Sequence, residues 1–191
     1  MKKNLKIAVY ATAILWGIFL LNYIFVFYDF RNLGIRPRTV GGLVGIAASP
    51  FLHGGLGHII SNSIPFFILL LTLLTFYKKI WIEVSVGSAV IGGFMVWLMA
   101  RGGTNHIGMS GVIFSYIAFF ITSGVLRRDF KALSIALVIF FLYGFSLLRG
   151  IIPGQPGISW EGHLFGAVAG VILAWVYKGV NKKQKPSGKI L

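Results

Sequence analysis

Ser110 stands between Gly108 and Gly111 at the head of an apolar run that reaches to about Val125. A serine hydroxyl becomes a nucleophile when a neighbouring base takes its proton. Small flanking residues let backbone and helices come close, and the unpaired N–H groups of a helix N-terminus favour negative charge developing beside them. Gly-x-Ser-Gly on its own is also a packing signature, because small residues are common in membrane helices. Three more polar residues bear on the choice. His58 and Asn62 open one apolar run and His163 opens another. His58 and Asn62 are four apart and therefore share a helix face. A serine with an imidazole as base is the equipment of acyl transfer, in which water resolves an acyl-enzyme.

These residues need elements to carry them, and composition says which. Of 191 residues, 57% are hydrophobic and mean hydropathy is +0.84, well above a soluble domain of this size. The absence of cysteine excludes a disulfide framework and a thiolate metal site. A net charge of +14 would suggest nucleic acid in a soluble chain. Here the charges sit between apolar runs, which points to topology signals and membrane lipids instead, with no nucleic acid as partner.

The pattern predicts an all-α polytopic membrane protein, a six-transmembrane-helix bundle forming a single domain over 1–191. The spans are expected near 7–27, 56–76, 80–100, 108–125, 132–148 and 160–177, followed by a basic tail at 178–191. Each is close to the roughly 17–25 residues that cross a hydrocarbon core. The first follows three lysines, but it is too long for a signal peptide and no small-residue cleavage site follows, so an uncleaved span is expected. The connection 28–52 has a glycine-rich, apolar second half from Gly41 to Phe51, suited either to the membrane interface or to an exposed loop. Pro153 and Pro156 mark the connection before the last span as irregular.

Sorted by side, thirteen basic residues fall with the two termini and five (Arg31, Arg36, Arg38, Arg101, Arg149) fall opposite. The positive-inside rule then makes both termini cytoplasmic. Spans two, four and six run inward from the outer face, which brings His58, Asn62, Ser110 and His163 to one depth. Polar side chains are costly there and mark functional sites.

On span six, Gly166, Ala167 and Gly170 form a small-residue strip beneath His163. Span four, with Gly111 and Ala118, is the natural partner, and such contact would bring Ser110 to His163. Phe114, one turn below Ser110, could hold the imidazole by packing. No acid is placed to complete a triad. Asp129 and Glu83 belong near the inner side, with Glu83 a helix-end partner for Lys79. Glu161 points away from the face of His163, and nothing brings Asp29 to the site. A Ser–His dyad is therefore favoured. His106 reads as a solvated loop residue, and Phe140, Phe141, Tyr143 and Phe145 read as facing lipid rather than lining a lateral access path.

In its motifs the chain resembles the rhomboid family of intramembrane serine proteases. The resemblance lies in His53-x4-His58-x3-Asn62 on span two, Gly108-Met109-Ser110-Gly111 on span four, and His163 followed by Gly166-x-x-x-Gly170 on span six. It implies Ser110 as nucleophile and His163 as general base and then acid, with no cofactor. It further implies an oxyanion hole from His58, Asn62 and the Ser110 backbone N–H, a supporting His53, and water reaching the site from the outer face. Transmembrane protein substrates with small residues at the cut are implied by the resemblance alone. Helix-weakening residues near the cut are expected because a helix must unwind to expose its carbonyl. A prokaryotic inner membrane fits the short N-terminus and lysine-biased loops. Two departures stand out. The Trp-Arg pair of many members is missing from the first loop, and Phe114 replaces the tyrosine of a well-studied type. The inactive branches match poorly, since Ser110 and His163 are both present.

Two rivals come from other classes. A metal-dependent hydrolase would use His53, His58 and His163 as zinc ligands. His53 and His58, however, are five apart, on different sides of a regular helix, and no carboxylate is near. A non-catalytic binder or transporter would leave the convergence of four polar residues unexplained.

Overall fold

The computed structural model describes residues 2–25, 27–154 and 157–180. The expected tail beyond residue 180 and Pro156 lie outside the described residues. The apolar runs fold as helices α1 (Lys2–Ile24), α2 (Val44–Ala48), α3 (Leu56–Phe76), α4 (Trp81–Met99), α5 (Ser110–Arg127), α6 (Phe130–Gly150) and α7 (Trp160–Val176). Short 3-10 turns occupy Phe30–Leu33, Gly41–Leu43 and Ser49–Phe51. The described residues contain no strand; Ile35 and His106 form an isolated antiparallel bridge.

Five helices, α1 and α3 to α6, are long and apolar enough to cross a membrane. The sixth expected span, α7, is apolar but has 17 residues, about 25 Å of helix.

Helix ends follow local chemistry. Arg128, in the left-handed region at φ 54°, ends α5. Asp129 Oδ1 then accepts the Ala132 N–H at 2.8 Å and starts α6. Ser159 Oγ accepts the Gly162 N–H at 3.3 Å and starts α7. Glu83 makes no ion pair with Lys79 among the described residues. The reason is that α4 begins at Trp81, so Lys79 lies outside the helix and the i,i+4 geometry is lost.

At the centre of the bundle is α5, buried all round from Val112 to Phe120. Its closest neighbour is α7. A Cβ on Gly166 would collide with the Gly111 carbonyl, and one on Gly170 with the carbonyl of Ser115. The closest approaches on α5 are thus at Gly111 and Ser115. Gly166 also faces Gly92 of α4, whose own Cβ would stand 3.4 Å from the Gly166 Cα. Hydroxyls join α4 to α5: Ser88 Oγ lies 2.7 Å from Ser115 Oγ, and the Tyr116 hydroxyl donates to Ser85 Oγ at 2.6 Å.

Peripheral faces are apolar and open. Phe141 is 81% and Phe145 75% exposed on α6, as lipid contact requires, whereas Tyr143 of the same helix lines the internal cavity. The stretch 41–51 is neither flat nor irregular. It packs as short helical turns, with Ile46 against Gly93 of α4 and Gly45 against the Gly34–Ile35 backbone, while Val40 and Val44 stay exposed.

Candidate active site

A cavity of about 990 Å³ opens among the leading ends of α3, α5 and α7 and the trailing end of α6. His58, Asn62, Ser110, Phe114 and His163 all line it.

Ser110 is the first residue of α5. The turn before it depends on Gly108, whose φ of +116° suits glycine. A Cβ there would also stand 2.6 Å from His58 Nε2. The turn is pinned on both sides: the Gly108 N–H donates to the Ser49 carbonyl at 2.8 Å and the Met109 N–H to His53 Nε2 at 3.5 Å. Met109 provides no side-chain cap, so the leading amides of α5 keep their donors.

Hydrogen-bond partners assign the histidine tautomers. His53 Nδ1 faces the Phe51 carbonyl at 3.3 Å. A carbonyl only accepts, so Nδ1 carries the hydrogen and Nε2 is free to accept from Met109. Burial and the neighbouring His58 hold His53 down to a pKa of about 4, keeping it neutral. In His58, Nδ1 accepts the Gly54 N–H at 3.3 Å, so the neutral ring carries its hydrogen on Nε2, beside Gly108. His163 is reversed: its Nδ1–H donates to the Gly150 carbonyl at 3.0 Å, which leaves the Nε2 lone pair unprotonated. Phe114 stacks on that imidazole with centroids 4.0 Å apart and planes 12° from parallel.

Asn62 is buried; its Nδ2 donates to the His58 carbonyl at 2.7 Å and its Oδ1 has no partner. Among the described residues no hydrogen bond joins Ser110 Oγ to His163 Nε2.

Glu161, two residues before His163, turns from it to Arg101. Its carboxylate accepts from Arg101 Nε at 2.6 Å and Nη2 at 3.1 Å, and is 4% exposed. His106 is not solvated as expected but buried. Its backbone is bridged to Ile35, and its ring lies between Ser159 Oγ at 2.5 Å and Thr104 Oγ1 at 2.8 Å. Burial lowers its pKa, with Glu161 opposing.

A Rhomboid domain model matches residues 40–179. The chain belongs to the rhomboid family. An uncharacterized protein of Mycobacterium tuberculosis is 38% identical over 162 residues, covering 80% of this chain and 66% of its own length. One from Mycobacterium leprae is 34% identical over 169 residues, covering 83% and 65%. The chain thus spans just under two thirds of the length of these relatives. Rhomboid proteins are serine-type intramembrane proteases, some members being inactive. This rhomboid protein is an integral membrane protein.

The site of this rhomboid protein includes residues that sequence reasoning passed over. Gly150 contributes only a backbone carbonyl, which leaves no trace in residue type. A Cβ there would collide with Phe114 and stand 3.1 Å from His163 Nδ1. His106, read above as a solvated loop residue, and Ser159 join the site because the loop 101–107 folds against the start of α7.

Proposed function

We propose that this rhomboid protein is an intramembrane serine endopeptidase acting through Ser110 and His163. The observation that carries the reading is the His163 Nδ1–H bond to Gly150, because it presents Nε2 as an unprotonated base within the cavity that holds Ser110. As the Ser110 hydroxyl attacks the scissile carbonyl, His163 Nε2 takes its proton. The oxyanion is met by His58 Nε2–H, the Asn62 amide and the leading N–H of α5, a set supported by the presence of His58, Asn62 and Ser110 around one cavity. Collapse of the intermediate expels the amine, which leaves with the proton from His163. Water then attacks the acyl-enzyme, gives a proton to Nε2, and Ser110 regains it as the acid departs.

In this reading residues 1–191 form one domain, α7 is the sixth span, and both termini are cytoplasmic, as the thirteen-to-five division of basic residues favours. The substrate is a single-span membrane protein cut near the outer face. A prokaryotic inner membrane suits the same charge pattern.

The test is cleavage of a single-span model substrate in detergent by wild type, Ser110→Ala and His163→Ala, each with and without a chelator. Either substitution is expected to lower kcat by about 10³-fold or more, with no effect of chelator. Cleavage surviving Ser110→Ala would end the serine mechanism. Chelator sensitivity would turn attention to the histidines as metal ligands.

A further inference from the structure

Glu161 and His106 are buried titratable groups for which the mechanism above has no use. Both belong to one arrangement. His106 lies four residues before Ser110, Ser159 lies four before His163, and the two side chains meet at 2.5 Å. Beside them Arg101, in the loop leading to Ser110, grips Glu161, in the first turn of α7.

The hydrogen bonds run in one direction through this junction. The Gly162 N–H donates to Ser159 Oγ. Ser159 O–H then donates to His106 Nδ1, whose Nε2–H donates to Thr104 Oγ1, and Thr104 O–H donates to the Arg101 carbonyl at 2.6 Å. Every hydroxyl is used once as donor and once as acceptor, so the chain is complete with a neutral imidazole. Alongside it, Glu161 also accepts the Arg101 backbone N–H at 3.2 Å, so the ion pair holds the loop by main chain as well as side chain. The guanidinium stacks over Trp160, 5.7 Å from the ring centroid.

The loop that delivers Ser110 is thereby fastened to the helix that delivers His163 immediately ahead of both. We propose that His106 and Glu161 are positioning residues, clasping the 101–107 loop to α7 so that Ser110 and His163 stay in register. The proposal rests on the protease reading. Both residues line the same cavity without touching the reacting atoms, and a positioning role requires that their loss fall on kcat rather than on KM.

The pairing is asymmetric. Glu161 is almost wholly buried while the Arg101 side chain is 63% exposed. Removing Arg101 strands a buried carboxylate, whereas removing the charge of Glu161 releases Arg101 to solvent.

The experiment compares the full chain in detergent with Glu161→Gln, Arg101→Leu, the double variant, His106→Leu and His106→Gln. It measures kcat and KM on a model substrate, the rate at which a fluorophosphonate labels Ser110, and Tm. Glu161→Gln and His106→Leu are expected to lower kcat and Ser110 labelling together by about 10–100-fold, with KM unchanged. His106→Gln, which can still donate and accept, is expected to recover part of the loss. Arg101→Leu is expected to be worse than Glu161→Gln, and the double variant to return to the level of Glu161→Gln. If His106→Leu does not fold, Glu161→Gln and His106→Gln carry the comparison. Wild-type kcat in Glu161→Gln overturns the proposal, as does a kcat loss that disappears at temperatures where every variant is fully folded. A wild type that neither cleaves nor labels overturns the protease reading, and this inference with it.

Discussion

The Gly150 carbonyl oxygen accepts a hydrogen bond from His163 Nδ1 at 3.0 Å, joining the last residue of α6 to the first turn of α7. A main-chain acceptor thus fills the place a carboxylate would take in a triad. It selects the tautomer and adds no buried charge, and among the described residues no acid is bonded to this imidazole.

This arrangement makes Gly150→Ala informative. The new methyl would strike the Phe114 ring and crowd His163 Nδ1. Overpacking of this kind costs about 1–3 kcal/mol of stability, and displacement of the base is expected to lower kcat by about 10²-fold. Steady-state kinetics beside a melting curve will separate the two effects. Wild-type kcat would mean that the carbonyl does not orient the ring.

Gly108→Ala is expected to act on the opposite wall. It forces a side chain into φ +116° and sets a methyl 2.6 Å from His58 Nε2. The loss of one aimed donor corresponds to about 10²–10³ in kcat. Little change in kcat would remove His58 from the proposed oxyanion site.

The helix interface can be tested by contrast. Gly166→Ala and Gly170→Ala push a methyl into α5 backbone, which cannot yield as a side chain does, whereas a Cβ at Gly17 of α1 meets nothing within 4 Å. Thermal unfolding in detergent is expected to fall for the first two by the equivalent of at least about 1–3 kcal/mol. Gly17→Ala should be neutral or stabilising by up to about 1 kcal/mol. Equal behaviour of all three would refute the close approach.

His53 gives stability a pH dependence of defined sign. Its pKa falls from 6.5 to about 4 on folding, so between those values the unfolded chain binds a proton that the folded chain refuses. Stability is full above about pH 6.5 and declines as the pH drops toward about 4. A protonated ring would turn Nε2–H against the Met109 N–H. His106 shifts the same way, so His53→Gln should reduce the slope without abolishing it. A wild-type Tm that is flat from pH 7 to 4 would contradict this account.

Periodicity and charge made the long helices readable. The span expected at 56–76 is the helix Leu56–Phe76, and that expected at 160–177 ends one residue early at Val176. Residue type also brought His58, Asn62, Ser110 and His163 to the same region, because polar groups in apolar runs are conspicuous. What escaped was non-local or main-chain. A five-residue helix such as Val44–Ala48 is too short to show a period. A polar loop gives no sign that His106 will be sealed between Ile35 and Ser159. Lys79 and Glu83 had the right spacing for a pair, but the helix began one residue after the lysine's neighbour.

The tight seating of α7 against α5 has a consequence for the life of the chain. Ser110 emerges during synthesis well before His163, and the helix bearing His163 comes after every other described one. A nascent protein therefore carries its Ser110 hydroxyl without His163 while the next 53 residues are made. In the proposed protease reading, hydrolytic competence arrives only when the glycine face of α7 packs against α5. On that reading a half-made molecule, with Ser110 in place and α7 still to come, has no base with which to cut its neighbours.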